Sequence, residues 1–207
     1  MEVIRQIRKA LISVYHKENL EDIVRTLDSH NVLIYSTGGT LDFIHSLGVK
    51  AIPVEELTGY PAILGGRVKT LHPKVFGAIL ARRENENDQF QLTEYAIPEI
   101  DLVVVDLYPF EQTVVSGASE AEINEKIDIG GVSLIRAAAK NYRDVLVVSN
   151  RQQYARFSKM LEENGCTTSL EQRKQFAAEA FETTSHYDVA IFNHFNNQFP
   201  QMAFKQS

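Results

Sequence analysis

The chain has 207 residues, 44% hydrophobic and 23% charged, with a net charge of −6 at pH 7. That is enough ordinary globular sequence for one ample domain with a core that needs no disulfide or metal, and the acidic balance excludes a general nucleic-acid binder, which would carry a basic face. A single cysteine, Cys166, excludes an internal disulfide and fits a reducing cytoplasm; no apolar run approaches the ~20 residues of a membrane span, and the first nine residues have no signal-peptide pattern.

Ala10-Leu11-Ile12-Ser13-Val14 predicts a buried strand over 10–14. Leu20, Ile23, Val24 and Leu27 are helically spaced and predict a helix over 20–27. A second strand is expected over 32–35, then Gly38-Gly39 and a helix over 40–47 that Gly48 closes. Residues 51–54 read as a short extended piece, 58–73 as irregular, 75–80 as a further strand and 84–88 as a solvated charged loop. Leu102-Val103-Val104-Val105 is apolar throughout, as parallel strands covered on both faces are, and 145–148 repeats it. Helices are expected over 131–140, 152–163 and 170–195, with 196–207 as a tail or the start of a linker. Strands alternating with helices predict an α/β fold with a parallel sheet flanked by helices. In such sheets ligands bind beyond the carboxyl ends of the strands. Lys17, Thr37 to Thr40 and Asp106 to Phe110 fall there.

Four segments carry the chemistry. Ser36-Thr37-Gly38-Gly39-Thr40 joins a strand to a helix, where glycines and free helix N–H groups suit a phosphate, although strand–helix turns of this kind are common. It lacks the Gly-Lys-Ser/Thr ending of a P-loop. In Gly65-Gly66-Arg67-Val68-Lys69-Thr70-Leu71-His72-Pro73, an extended backbone would put Arg67 and Lys69 on one side, suited to an oxyanion. The apolar Ile63, Leu64, Val68 and Leu71 would draw this loop inward. Asp106-Leu107-Tyr108-Pro109-Phe110 ends the central strand either as ligand contacts or as a polar strand end with structural aromatics. Asp128-Ile129-Gly130-Gly131 opens a helix, with Asp128 either a cap or a working carboxylate. Arg136 and Lys140 follow one turn apart, both facing water or sharing an anion. The six histidines show no metal-ligand spacing.

Together these segments, with Ala10-Leu11-Ile12-Ser13-Val14, Arg136-Ala137-Ala138-Ala139-Lys140-Asn141 and His186-Tyr187-Asp188, resemble the inosine monophosphate cyclohydrolase domain over nearly the whole chain, from about residue 10 to 195. That domain is the N-terminal half of a bifunctional purine-biosynthesis protein. The resemblance implies a methylglyoxal-synthase-like fold, residues 1–195 as the domain, and no metal or organic cofactor. It implies dehydrative closure of the purine ring, from 5-formamidoimidazole-4-carboxamide ribotide to inosine monophosphate. A homodimer and a following formyltransferase domain are implied too, with neither nucleic acid nor membrane as partner. Lys69 and Tyr108 are expected on the formyl oxygen, and Asp128 and Lys140 at the proton transfers. Lys17, Thr37, Gly38, Gly39, Thr40 and Arg67 are expected to hold the ribose phosphate. Tyr15, His16, Thr70, Asp106, Leu107 and Ile129 complete the expected substrate contacts.

Two positions depart from the family pattern. Its first loop often reads Ser-Val-Ser-Asp-Lys-Thr-Gly, whereas this chain has Ser13-Val14-Tyr15-His16-Lys17-Glu18-Asn19, and Asp106 stands where many members have asparagine. A single helix over 131–140 would also separate its ends by about 14 Å. Asp128 and Lys140 then meet at one ligand only if the Asp128 loop folds back, the helix is shorter, or one residue comes from another subunit. A nucleotide-sensing module and methylglyoxal synthase itself are the competing readings.

Overall fold

The computed structural model describes residues 4–198. In chain order the elements are β1 (Arg5–Gln6), β2 (Lys9–Ser13), α1 (Glu21–Ser29), β3 (Leu33–Ser36), α2 (Gly38–Ser46), β4 (Ile52–Pro53), α3 (Val54–Thr58), α4 (Pro73–Leu80) and α5 (Glu86–Glu94). There follow β5 (Leu102–Val105), α6 (Phe110–Val115), α7 (Glu120–Asn124), α8 (Gly130–Lys140), β6 (Leu146–Val148), α9 (Tyr154–Asn164), β7 (Thr167–Thr168) and α10 (Leu170–Gln198). Five of the strands form one parallel sheet in the order β4-β3-β2-β5-β6. The chain runs outward from β2 to β4, then returns to β5 on the other side. The switch therefore lies between β2 and β5, where a doubly wound sheet opens its crevice.

Strand side chains alternate between the two faces, which builds two cores. Ala10, Ile12, Ile34, Val104 and Val148 pack under α1, α2 and α9. Leu11, Tyr35, Val103, Val105 and Val147 pack under α3, α4, α8 and α10. Each fully buried Val or Leu contributes roughly 1.5–3 kcal/mol. The buried run Ala137, Ala138, Ala139 has almost no side-chain bulk, so α8 packs close to the sheet and α10. A smaller cluster of Phe110, Ile123 and Tyr187, with Leu107 against it, fixes the segment after β5 to α10.

The structure corrects three expectations. Residues 75–80 are a helix, not a strand: Pro73 stands in its first turn and His72 caps it by accepting from Lys74 N at 3.2 Å. The expected loop over 84–88 is helical from Glu86, because Asn85 accepts from Asp88 N at 3.0 Å and Asp88 pairs with Arg82 at 2.8 Å. The expected tail from residue 196 first continues α10 to Gln198, and residues 199–207 lie outside the described part. The sequence reading also gave no hint of β1 and β7, which pair antiparallel across more than 160 residues of chain.

Candidate active site

At the carboxyl ends of β2, β3 and β5 the structure opens a cavity of about 820 Å³. Its walls come from the loop after β2, the start of α2, residues 64–71, the end of β5 and residues 124–131.

The start of α2 is shaped for an anion. Thr37 precedes the helix in extended conformation, and Gly38 takes a φ of +43°, where a side chain would be strained. The first N–H groups of the helix have no partner within it. The threonine hydroxyls are engaged elsewhere. Thr37 Oγ1 pairs with Ser13 Oγ at 2.7 Å, and Thr40 Oγ1 accepts from Val14 N at 3.0 Å while donating to Val14 O at 2.8 Å. They lace α2 to β2, so the groups at this helix start not engaged by them are backbone N–H groups. Lys17 closes the same end, with two of its donors on Val14 O and Tyr15 O.

Residues 64–71 do not run extended through the site. Leu64, Gly65 and Gly66 all have positive φ and make a tight projecting turn, with Leu64 70% exposed. The apolar flank does not pull the loop inward, since Ile63 and Leu71 are exposed as well. Charge holds the loop instead. Arg67 bonds Glu125 through two nitrogens and bridges the two loops over the cavity. Lys69 lies deeper, close enough that a methyl group on Gly38 would stand 3.6 Å from its Nζ.

Lys69, Tyr108 and Asp128 come together. Asp128 Oδ1 accepts from Gly131 N at 2.6 Å and so caps α8, and the carboxylate also accepts from the Tyr108 backbone N–H. Burial pushes its pKa up from the ordinary carboxylate range, the two backbone donors and the Lys69 charge acting against that rise. The Tyr108 hydroxyl is pushed up as well, first by burial, then by the Asp128 and Tyr15 charges, so it stays protonated as a donor. Asp128 therefore caps α8 and also lines the cavity, so the two readings of this residue are compatible in space. Behind it, the Tyr187 hydroxyl accepts from Asp128 N at 2.9 Å and donates to Lys126 O at 2.5 Å. Thr70, Ile129, Gly39 and Tyr15 line the same cavity.

Four expected residues do not reach the wall: Gly38, which sets the turn before Gly39, and His16, Leu107 and Lys140. His16 stands behind Asp106, its Nδ1 2.9 Å from Oδ2. Leu107 turns into the apolar clusters on either side of it. Lys140 is exposed at the far end of α8, and Arg136 is exposed too, its guanidinium over the Phe181 ring at 5.5 Å. The helix runs its full length and the Asp128 loop does not fold back, so Asp128 and Lys140 of one chain do not share a ligand. Glu125, Lys126 and Tyr187 had no expected role. Their positions follow from partners 58 to 61 residues away, which no local pattern reports.

The two departures from the family pattern meet in space. Asp106 is buried, and its carboxylate accepts from Tyr15 N, from His16 N at 3.0 Å and faces the His16 ring. These partners use an acceptor-only group, and an asparagine amide would turn N–H groups toward N–H groups. Asp106→Asn is therefore expected to lower stability by about 2 kcal/mol, even though many relatives carry that residue, and thermal unfolding measures it.

Among the described residues no group of His, Cys, Asp and Glu could hold a metal ion. Cys166 is buried, its thiol pushed up to about 11 and therefore not a nucleophile at neutral pH.

Comparison with known proteins agrees with this geometry. Residues 19–133 match the MGS-like domain, and residues 138–207 match the AICARFT/IMPCHase bienzyme. The bifunctional purine biosynthesis protein PurH of Bacteroides thetaiotaomicron is 62% identical over 93% of this chain, and that of Rhodopirellula baltica is 50% identical over 89%. The chain spans only 38% and 35% of those two relatives. A solved structure described as that of ForH superposes with a TM-score of 0.80 at 34% identity, covering 91% of this chain and 96% of the other. With more than half of its residues matched by one family, this chain belongs to the MGS-like domains.

Proposed function

We propose that the chain is an inosine monophosphate cyclohydrolase, closing the purine ring of 5-formamidoimidazole-4-carboxamide ribotide with loss of water. The observation that carries this reading is the convergence of Lys69, Tyr108 and Asp128 beside an anion-binding helix start. The α2 N-terminus and Lys17 hold the ribose phosphate. The substrate folds so that its carboxamide nitrogen meets its formyl carbon, which alone removes much of the barrier. Lys69 and the Tyr108 hydroxyl stabilise charge on the formyl oxygen as the new C–N bond forms. Asp128, with its raised pKa, takes a proton from the carboxamide nitrogen and passes it to the former formyl oxygen; that oxygen leaves as water with a second proton, given up by the formamide nitrogen as the ring C=N bond forms. PurH relatives that match this chain across their first third support the reading, and their greater length supports a formyltransferase domain beyond residue 195 in the whole protein. No helix among the described residues is long and apolar enough to cross a membrane, which agrees with a cytoplasmic enzyme.

In this reading Lys140 serves the site of a second copy, the remaining one of the three arrangements that let it act with Asp128. Exposed Phe181, Val189, Phe192 and Phe195 along α10 supply an apolar face for a homodimer. The test is ultraviolet detection of ring closure, with dihydroxyacetone phosphate assayed beside it for methylglyoxal formation. Lys69→Ala and Lys140→Ala proteins should each be inactive alone. Unfolded and refolded together in equal amounts, they should regain about a quarter of wild-type activity, since half the dimers carry one intact site. No recovery on mixing would mean that Lys140 does not act across the dimer. No ring closure by wild type would end the reading itself.

A further inference from the structure

Apart from Arg67, which is paired with Glu125, the cavity holds one cation that the reaction above leaves unused. Lys126 lies in the wall between Glu125, which is committed to Arg67, and the anchored Asp128 loop. No carboxylate pairs with its ammonium among the described residues. Instead it sits over two aromatic rings, 5.1 Å from the centroid of Tyr15 and 5.4 Å from that of Tyr108. Those rings touch edge to face, with centroids 5.5 Å apart and planes at 89°. A partly buried cation without a carboxylate is favoured where ring faces replace lost water, and two rings give it a defined place.

This contact joins three separate pieces of the wall. Tyr15 belongs to the loop after β2, Tyr108 to the end of β5, and Lys126 to the segment that carries Asp128. The segment is held from behind, since the Tyr187 hydroxyl grips both Lys126 O and Asp128 N. The Lys126 backbone is therefore a fixed mount, and its ammonium is the part that reaches the tyrosines. Tyr108 is 38% exposed, so the Lys126 and Tyr15 contacts are among those that hold its ring. The arrangement also depends on Tyr15, which stands where the family loop has serine and a ring face would be missing.

We propose that Lys126 is a positioning residue, clamped between Tyr15 and Tyr108 so that the Tyr108 hydroxyl stays directed at the reacting centre. The proposal rests on the reading of Tyr108 as the donor to the formyl oxygen. It assigns Tyr15 a different role from the serine of the family: one half of a ring clamp rather than a phosphate contact.

The test combines kinetics with a measurement that needs no turnover. Lys126→Met keeps the alkyl stem and removes the charge, Lys126→Arg keeps a cation, and Tyr15→Ser restores the family residue. Lys126→Met is expected to lower kcat about tenfold with KM within about twofold, as for a lost interaction that acts in the transition state. Lys126→Arg should recover most of that loss. In a Tyr15→Ser background, Lys126→Met should cost little more, because one ring face is already gone. In labelled protein, the nuclear Overhauser contact between the Tyr15 and Tyr108 rings should weaken in Lys126→Met and persist in Lys126→Arg. A rise in KM alone would make Lys126 a substrate contact and overturn the proposal, as would losses that simply multiply in the double variant. If wild type does not close the ring, the functional reading fails, and an unchanged ring-to-ring contact in Lys126→Met then overturns the clamp independently.

Discussion

Replacing Lys69 by alanine is expected to slow ring closure by about a thousandfold, the scale of losing one well-placed charge donor in a closed site. Lys69 lies against the α2 start near Gly38 and beside Asp128, so its removal acts on two steps. The developing charge on the formyl oxygen loses its cation. Asp128 also loses the charge that opposes the effect of burial, and its pKa rises further, making it a base only at higher pH. The acid limb of the pH–rate profile should therefore move upward in Lys69→Ala, on top of the fall in rate. Arginine should rescue poorly, because the space beside Gly38 suits a compact ammonium and not a planar fork. The variant should unfold near the wild-type temperature, as Lys69 makes no salt bridge among the described residues and lies in a cavity wall. Ultraviolet assays across pH, together with thermal unfolding, measure all three quantities. A rate within threefold of wild type would remove Lys69 from the mechanism.

Gly131→Ala is the second large effect. A Cβ at this position would stand 2.6 Å from Asp128 Oδ2, closer than real Cβ contacts come, and a tight 3.0 Å from both Cγ and Oδ1. Asp128 cannot yield easily. Its Oδ1 is bonded to Gly131 N, its backbone to Tyr187, and its carboxylate to the Tyr108 N–H. Either the carboxylate leaves its place or the first turn of α8 shifts. Overpacking of this kind costs about 1–3 kcal/mol, and displacing a reacting group by about 1 Å lowers the rate roughly a hundredfold. Gly130→Ala provides the comparison. Its new Cβ meets only the Thr70 hydroxyl, at 3.1 Å, and a hydroxyl can give way. The two alanine variants should therefore differ by at least tenfold in kcat. Equal activities would mean that Asp128 is not held in its working position by the cap.

These effects bear on how much the sequence discloses. The four longer strands of the parallel sheet were legible because strands buried on both faces are written as unbroken apolar runs, as at Leu102 to Val105. The same rule misled at 75–80. A short apolar run does not distinguish strand from helix, and Pro73 with the His72 cap decided it. α5 escaped because its residues are mostly polar and only Leu92 is buried, so no apolar stripe announces it. The site shows a similar division. Glycines, threonines and cations in tight motifs marked the cavity, and its wall contains most of them. What each group does was less legible. The threonine hydroxyls bind strand to helix rather than pointing to a ligand, and Asp106 is committed to Tyr15 and His16. Lys126 carried no expectation at all, because only the fold brings two rings to it.

The Tyr187 hydroxyl sets the smallest piece of this chain that can work. Every residue of the cavity wall is already present once the chain has been made as far as Leu134. The group that anchors the Asp128 loop arrives 53 residues later, midway along α10, with Phe110 packed against the same ring. A fragment ending between those points would hold all the wall residues while its carboxylate wandered. On a ribosome, the complete list of cavity residues emerges well before the site does.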